Sequence, residues 1–173
     1  MRRVTSARIV LFFLFLLVLD ISVLPAFRIG AVQPYFLYLA VLFIGFTWGA
    51  GSVLHAALLA GVMMDLTGSR VLGASTLTLA ALAIPLDFVL QKMDRDSWLV
   101  RLLVGFLFVY SALVLQLIFV SLLRLDWLLN FKAISFAFQT ALYTAAVMPL
   151  FFLMSSKWLS RRRLWRGRRV FDQ

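Results

Sequence analysis

The chain has 173 residues, of which 64% are hydrophobic and only 14% charged. Its 17 Lys and Arg against 7 acids, all of them Asp, give a net charge of +10. A soluble domain is roughly 45–50% apolar and about 25% charged, so a water-soluble globule and a disordered chain are both excluded, and a lipid bilayer is the fitting solvent. A spanning helix needs roughly 20 apolar residues, which caps the chain at about six or seven crossings with no room for a separate soluble domain. There is no cysteine, which removes disulfides, thiolate metal sites and cysteine nucleophiles. The single histidine, His55, removes a histidine-rich metal site.

Arg2, Arg3 and Arg8 precede an apolar run from Ile9 to Leu24, the outline of a signal peptide. Asp20 interrupts the run, and Leu24-Pro25-Ala26-Phe27 lacks the small residue expected three positions before a cleavage site. The run therefore reads as an uncleaved first helix, 9–24. Pro25, Arg28, Gly30, Gln33 and Pro34 form a turn. From Tyr35 to Met64 the 30 residues carry no formal charge, with His55 neutral. As one helix they would span about 45 Å, too long for one comfortable crossing. Gly45, Gly49, Ala50 and Gly51 sit in the middle and favour a break. The reading is two short helices, 32–48 and 52–66. A polar turn with Asp65, Gly68, Arg70 and Gly73 leads to a helix over 72–91. The polar segment 92–97 precedes a helix over 98–123. Arg124, Asp126, Asn130 and Lys132 mark a turn before the last helix, 133–158. The tail, 160–173, carries Arg161, Arg162, Arg163, Arg166, Arg168 and Arg169.

Charge sets the topology through the excess of Lys and Arg on the cytoplasmic side. With six crossings the cytoplasmic parts hold Arg2, Arg3, Arg8, Lys92, Arg95, Arg101, Lys157 and the six tail arginines. That is 13 of the 17 basic residues, leaving Arg28, Arg70, Arg124 and Lys132 outside. With five crossings the distribution inverts to 6 inside and 11 outside. An even number of crossings with both termini cytoplasmic follows. Two spans and a re-entrant hairpin over 34–64 fit the count equally, and two spans is the reading taken.

Asp20 falls about 18 Å into the first helix, where an ionised carboxylate costs on the order of 2.5–3.5 kcal/mol. It is either a polar contact inside the bundle or with a partner, or it snorkels near Pro25. Asp65 ends the third helix, where pairing with Arg70 or capping the turn is the plain reading and a substrate or proton site the sharper one. Asp87 is expected to pair with Lys92, Arg95 or Arg101. His55 reads as a hydrogen-bonded packing residue. Gly45 and Gly49 form a G-x-x-x-G pair. Ala57 with Gly61, and Ala56 with Ala60, repeat the small-residue spacing that lets helices approach closely in lipid. Pro85 and Pro149 predict local distortion of the fourth and sixth helices. The tail arginines, interleaved with Trp165 and Phe171, suit an anionic leaflet rather than a nucleic acid. No phosphate loop, catalytic triad or paired-carboxylate site is present, so no cofactor or metal is expected.

The segment Gly61-Val-Met-Met-Asp65-Leu66-Thr-Gly68-Ser-Arg-Val-Leu72-Gly73 resembles the signature of the MreD family of bacterial rod shape-determining membrane proteins. Gln33-Pro34-Tyr35-Phe36 resembles the proline that opens the family's second helix, and Pro149-Leu-Phe-Phe-Leu-Met154 with a basic tail resembles its last one. The stretch Ala56-Ala57-Leu58-Leu59-Ala60 departs from the family's glycine-richer pattern, though small residues are kept. The resemblance implies an all-α, polytopic inner-membrane protein of six transmembrane helices, similar to the S-components of energy-coupling factor transporters. It implies a non-enzymatic scaffold in the cell-wall elongation complex that supports peptidoglycan synthesis and cell shape by binding MreC. MreB, a RodA-type polymerase and a class B penicillin-binding protein complete that assembly. The alternative is an S-component-like substrate-binding subunit of a transporter. The candidate packing and partner-contact residues are Asp20, Pro34, Gly45, Gly49, Ala57, Gly61, Asp65 and Gly73.

Overall fold

The computed structural model describes residues 6–22, 32–49, 51–67, 73–92, 97–124 and 130–159. Among them the regular elements are α-helices: α1 (Ser6–Ser22), α2 (Phe36–Trp48), α3 (Ser52–Leu66), α4 (Ala74–Lys92), α5 (Trp98–Arg124) and α6 (Phe131–Leu159). Each expected helix is present. The third coincides with its expected bounds, and the fifth and sixth run one to two residues longer at their ends. The second begins at Phe36 rather than at 32. Pro34 disfavours helical backbone at the residue before it, which holds Gln33 out of the helix.

The centre of the bundle is α2. It packs against each of the other five helices, and every residue from Leu37 to Gly45 is buried. Such burial suits a helix that is apolar on all sides. Around it, α1 packs on α3, α3 on α4, α4 on α5 and α5 on α6. Phe43 of α2 makes ring contacts with Phe12 of α1 and with Phe151 and Phe152 of α6, at centroid distances of 6.4, 6.4 and 5.2 Å. Aromatic side chains thus join α2 to the first and last helices, in the edge-to-face geometries that the ring quadrupole favours for the α6 pairs.

The outer surface is apolar. On α5, Leu99, Leu103 and Leu107 form an exposed stripe at helical spacing, and α6 exposes Leu142, Leu150, Leu153 and Met154. Contiguous exposed apolar surface of this kind is untenable on a monomer in water and is matched by hydrocarbon. Three helices, α4, α5 and α6, are long and apolar enough to cross a membrane. The apolar helices α2 and α3, with 13 and 15 residues, are shorter.

Between α2 and α3 the chain turns through Gly49 and Gly51, at φ 84° and 85°. That left-handed backbone is open to glycine at little cost and strained for other residues. Ser52 fastens the turn, its hydroxyl donating to the Gly49 carbonyl at 2.6 Å.

Candidate functional site

Gly61, Asp65 and Gly73 lie at one end of the bundle, where α3 ends and α4 begins, while 68–72 lie outside the described residues. Gly61 lies on the α3 face against α4. A Cβ there would overlap the backbone of Thr76, so the two helices cross at near-backbone contact. One turn later Asp65, buried, reaches across to the first turn of α4. Its Oδ1 accepts the Ser75 N–H at 3.0 Å. Its Oδ2 accepts the Thr76 N–H at 3.0 Å and the Thr76 hydroxyl at 2.6 Å. The first N–H groups of a helix have no partner within it and carry the positive end of its dipole. A carboxylate is the strongest acceptor for them, so Asp65 is the cap of α4, supplied by α3. Gly73, at φ 88°, delivers the chain into α4, and the Leu77 N–H donates to its carbonyl at 2.9 Å. Arg70, the other expected partner of Asp65, lies outside the described residues.

The same device recurs twice. Asp20 on α1 accepts the Phe36 N–H at 3.1 Å, at the start of α2. This is the bundle contact that the sequence left open beside snorkelling. Asp87 on α4 accepts the Gly51 N–H at 3.1 Å, at the start of α3, and the Gln91 side-chain amide at 3.4 Å. Lys92, one of the cations expected to pair with Asp87, stacks over the Phe88 ring at 4.2 Å, and Arg95 lies outside the described residues. Each of these three aspartates therefore ties its own helix to the N-terminus of a neighbour. The α3–α4 pair is fastened at both ends, by Asp65 at one and by Asp87 at the other.

From Ser75 the hydrogen bonding continues inward. Gln116 of α5 donates from Nε2 to the Ser75 hydroxyl at 3.1 Å, and its Oε1 accepts the Tyr38 hydroxyl of α2 at 3.1 Å. Tyr38 is fully buried. One chain of hydrogen bonds thus links α3, α4, α5 and α2. Buried polar groups joined in this way fix a unique packing, because each would be costly if left alone.

The remaining candidates divide by role. Pro34 is buried just before α2. Ala57 is fully buried on α3, with Ala56 and Ala60 beside it on the same helix. Gly45 is a packing glycine: a Cβ there would meet Leu90 of α4 and Val53 of α3. Gly49, its expected partner in the G-x-x-x-G pair, serves the turn instead. His55 is exposed, and its Nδ1 donates to the Gly51 carbonyl at 3.0 Å within its own helix. That carbonyl can only accept, which places the proton on Nδ1. Arg161, Arg162, Arg163, Arg166, Arg168 and Arg169 lie outside the described residues. Sequence reasoning missed Gln116, Tyr38 and Thr76, and it missed Gly105, where a Cβ would meet Met148 of α6. An amide in the middle of an apolar helix was the available signal for Gln116.

Chemically, the cluster offers acceptors and donors already engaged with one another. Among the described residues no three of His, Cys, Asp and Glu are grouped to hold a metal ion. A separate notch of about 20 Å3, lined by Trp98, Arg101, Leu102, Met148, Pro149 and Phe152, has room for about one water. Compared with known protein families, with curated proteins and with solved structures, the chain shows no match.

Proposed function

We propose that this chain is a non-enzymatic scaffold subunit of the bacterial cell-wall elongation complex, an MreD-type protein that binds an MreC-like partner in the inner membrane. It crosses the membrane six times with both termini in the cytoplasm, in a helical arrangement similar to the transporter S-components. The wider assembly then contains MreB, a RodA-type polymerase and a class B penicillin-binding protein. Anionic lipids meet the basic tail.

One observation carries the reading. The acid of the Gly61–Gly73 signature, Asp65, caps α4 with both of its oxygens. A signature whose acid holds two helices together specifies a shape, which is what a scaffold must present to a partner. A catalytic carboxylate would need access to a reacting group, within hydrogen-bond reach of it. The 13 to 4 division of basic residues supports the orientation.

Co-expression with an MreC-like single-span protein tests the proposal. The two are expected to purify together from detergent, and loss of this chain is expected to turn rod-shaped cells round. A chain that never retains such a partner, or one that retains a vitamin-sized molecule in native mass spectrometry, would sink the scaffold reading. The second outcome would instead install the transporter subunit.

A further inference from the structure

On α3 the exposed apolar side chains Leu54, Leu58, Val62 and Leu66 recur at every fourth position and form one stripe. At a rise of about 1.5 Å per residue the stripe is about 18 Å long. On α4 the stripe runs from Leu77 through Ile84 to Phe88, about 17 Å. The hydrocarbon of a bilayer is roughly 30 Å thick. The other side of the bundle differs. Exposed apolar residues run from Leu99 to Leu123 on α5 and from Phe131 to Met154 on α6, about 36 and 35 Å. The apolar belt is therefore about twice as tall at α5 and α6 as at α3 and α4.

A long helix absorbs its excess by tilting, and a short one has no such recourse. Nor can the α3–α4 pair lengthen by sliding. Asp65 holds the first turn of α4 at one end, and Asp87 holds Gly51 at the other. Polar groups bound the stripes at both ends: Thr67 is exposed at one, and His55, Gln91 and Lys92 are exposed at the other. Snorkelling of these groups does not close the gap. His55 is turned back onto the Gly51 carbonyl, and Gln91 onto Asp87. Lys92 has the reach, yet its ammonium lies over the Phe88 ring at 4.2 Å, back along the helix toward the stripe.

We propose that the α3–α4 face thins the bilayer beside it and takes lipids of short acyl chain. Headgroups meet His55, Gln91 and Lys92 on one side and Thr67 on the other, about 12 Å closer together than in undisturbed bilayer. The α5–α6 face meets lipid of ordinary thickness. The inference rests on α3 and α4 crossing the membrane, as in the proposed function, and on neither the scaffold role nor any partner.

The test uses the full-length chain, which has no native cysteine. Val62→Cys on α3, Ile84→Cys on α4 and Leu107→Cys on α5 each place one pyrene at an exposed position. The labelled chains are reconstituted in mixed dimyristoleoyl- and dierucoyl-phosphatidylcholine, with one or the other lipid brominated as quencher. At equal mole fraction the short-chain lipid is expected to quench the Val62 and Ile84 probes at least about twofold more than the long-chain lipid. The Leu107 probe is expected to show no such preference. Gln91→Leu with Lys92→Leu lengthens the α4 stripe by about a turn and is expected to reduce the preference at Ile84. Equal quenching by both lipids at Val62 and Ile84 overturns the proposal. So does the absence of quenching by either, because a protein would then cover the face. Impermeant maleimide on Thr67→Cys and Lys92→Cys separates the two readings. Labelling from opposite sides shows the crossing, so that equal quenching then refutes thinning alone; labelling of both from one side refutes the crossing and the thinning with it.

Discussion

Asp65, in the last turn of α3, holds Thr76, in the first turn of α4, by both its backbone N–H and its hydroxyl. The carboxylate does for α4 what a residue of the intervening turn does for most helices, and it does so from a neighbouring element. A cap of this kind couples the formation of one helix to the packing of another. Asp65→Ala removes a buried acceptor of three hydrogen bonds. It is expected to destabilise the chain by about 3 kcal/mol, between the worth of one charged hydrogen bond and that of a broken buried network. Thr76→Val removes the hydroxyl alone and is expected to cost about 1 kcal/mol. The two sites share a hydrogen bond, so the double variant is expected to cost less than the sum of the singles. Thermal melting in one fixed detergent checks this; strict additivity would show that the bond contributes nothing.

The glycines rank by what surrounds them. At Gly61 a Cβ meets α4 backbone, which cannot move without shifting the helix and the Asp65 bonds with it. Gly61→Ala is therefore expected to cost about 2–3 kcal/mol, the upper part of the range for overpacking. At Gly45 the neighbours are the ends of the Leu90 and Val53 side chains, which can turn aside, and Gly45→Ala is expected to cost about 1 kcal/mol. At Gly51 nothing lies within reach of a Cβ and φ is 85°, so Gly51→Ala carries only the backbone penalty of about 1–2 kcal/mol. Melting temperatures of the three variants under one condition test the order. A Gly45 variant less stable than the Gly61 variant would contradict the placement of the α3–α4 crossing.

Helix positions were legible because each apolar run ends at charge, proline or glycine, and a break in the charge-free 34–64 segment followed from its length and its glycines. What each small or polar residue does was not legible. Gly45 and Gly49 have the same spacing as a packing pair, yet one packs and the other turns, because spacing does not record φ. Asp87 has cations near it in sequence, and the sequence pointed to them; it also accepts the N–H of Gly51, brought close only by the α3–α4 pairing. The burial of α2 from Leu37 to Gly45 was hidden too, since lipid and protein neighbours both select apolar side chains.

The Tyr38–Gln116–Ser75 chain predicts an asymmetry between single and paired changes. Gln116→Leu leaves the Tyr38 hydroxyl and the Ser75 hydroxyl without a partner in a buried setting. A loss of about 2 kcal/mol is expected, the cost of stranding buried polar groups. Adding Tyr38→Phe removes one stranded group and is expected to restore part of that loss, because replacing both members of a pair by apolar groups is close to neutral. Stability of the single and double variants in the same detergent decides it. A double variant less stable than Gln116→Leu alone would mean that Tyr38 finds another partner.

The turn between α2 and α3 gives the sharpest test of how the chain crosses the membrane. With 13 residues, α2 is about 20 Å long, against roughly 30 Å of hydrocarbon. Gly51 and His55 are nevertheless exposed, and Asp87 and Gln91 meet beside them. Groups of this polarity at a helix end call for water, so a hydrated recess reaching in from the cytoplasm is expected to meet the turn. The absence of native cysteine makes single-cysteine labelling direct. His55→Cys in whole cells is expected to resist a membrane-impermeant maleimide added outside and to react in inverted vesicles. Arg28→Cys and Asp126→Cys are expected to do the opposite. Labelling of His55→Cys from outside, or silence from both sides, would replace two crossings over 34–64 by a re-entrant hairpin.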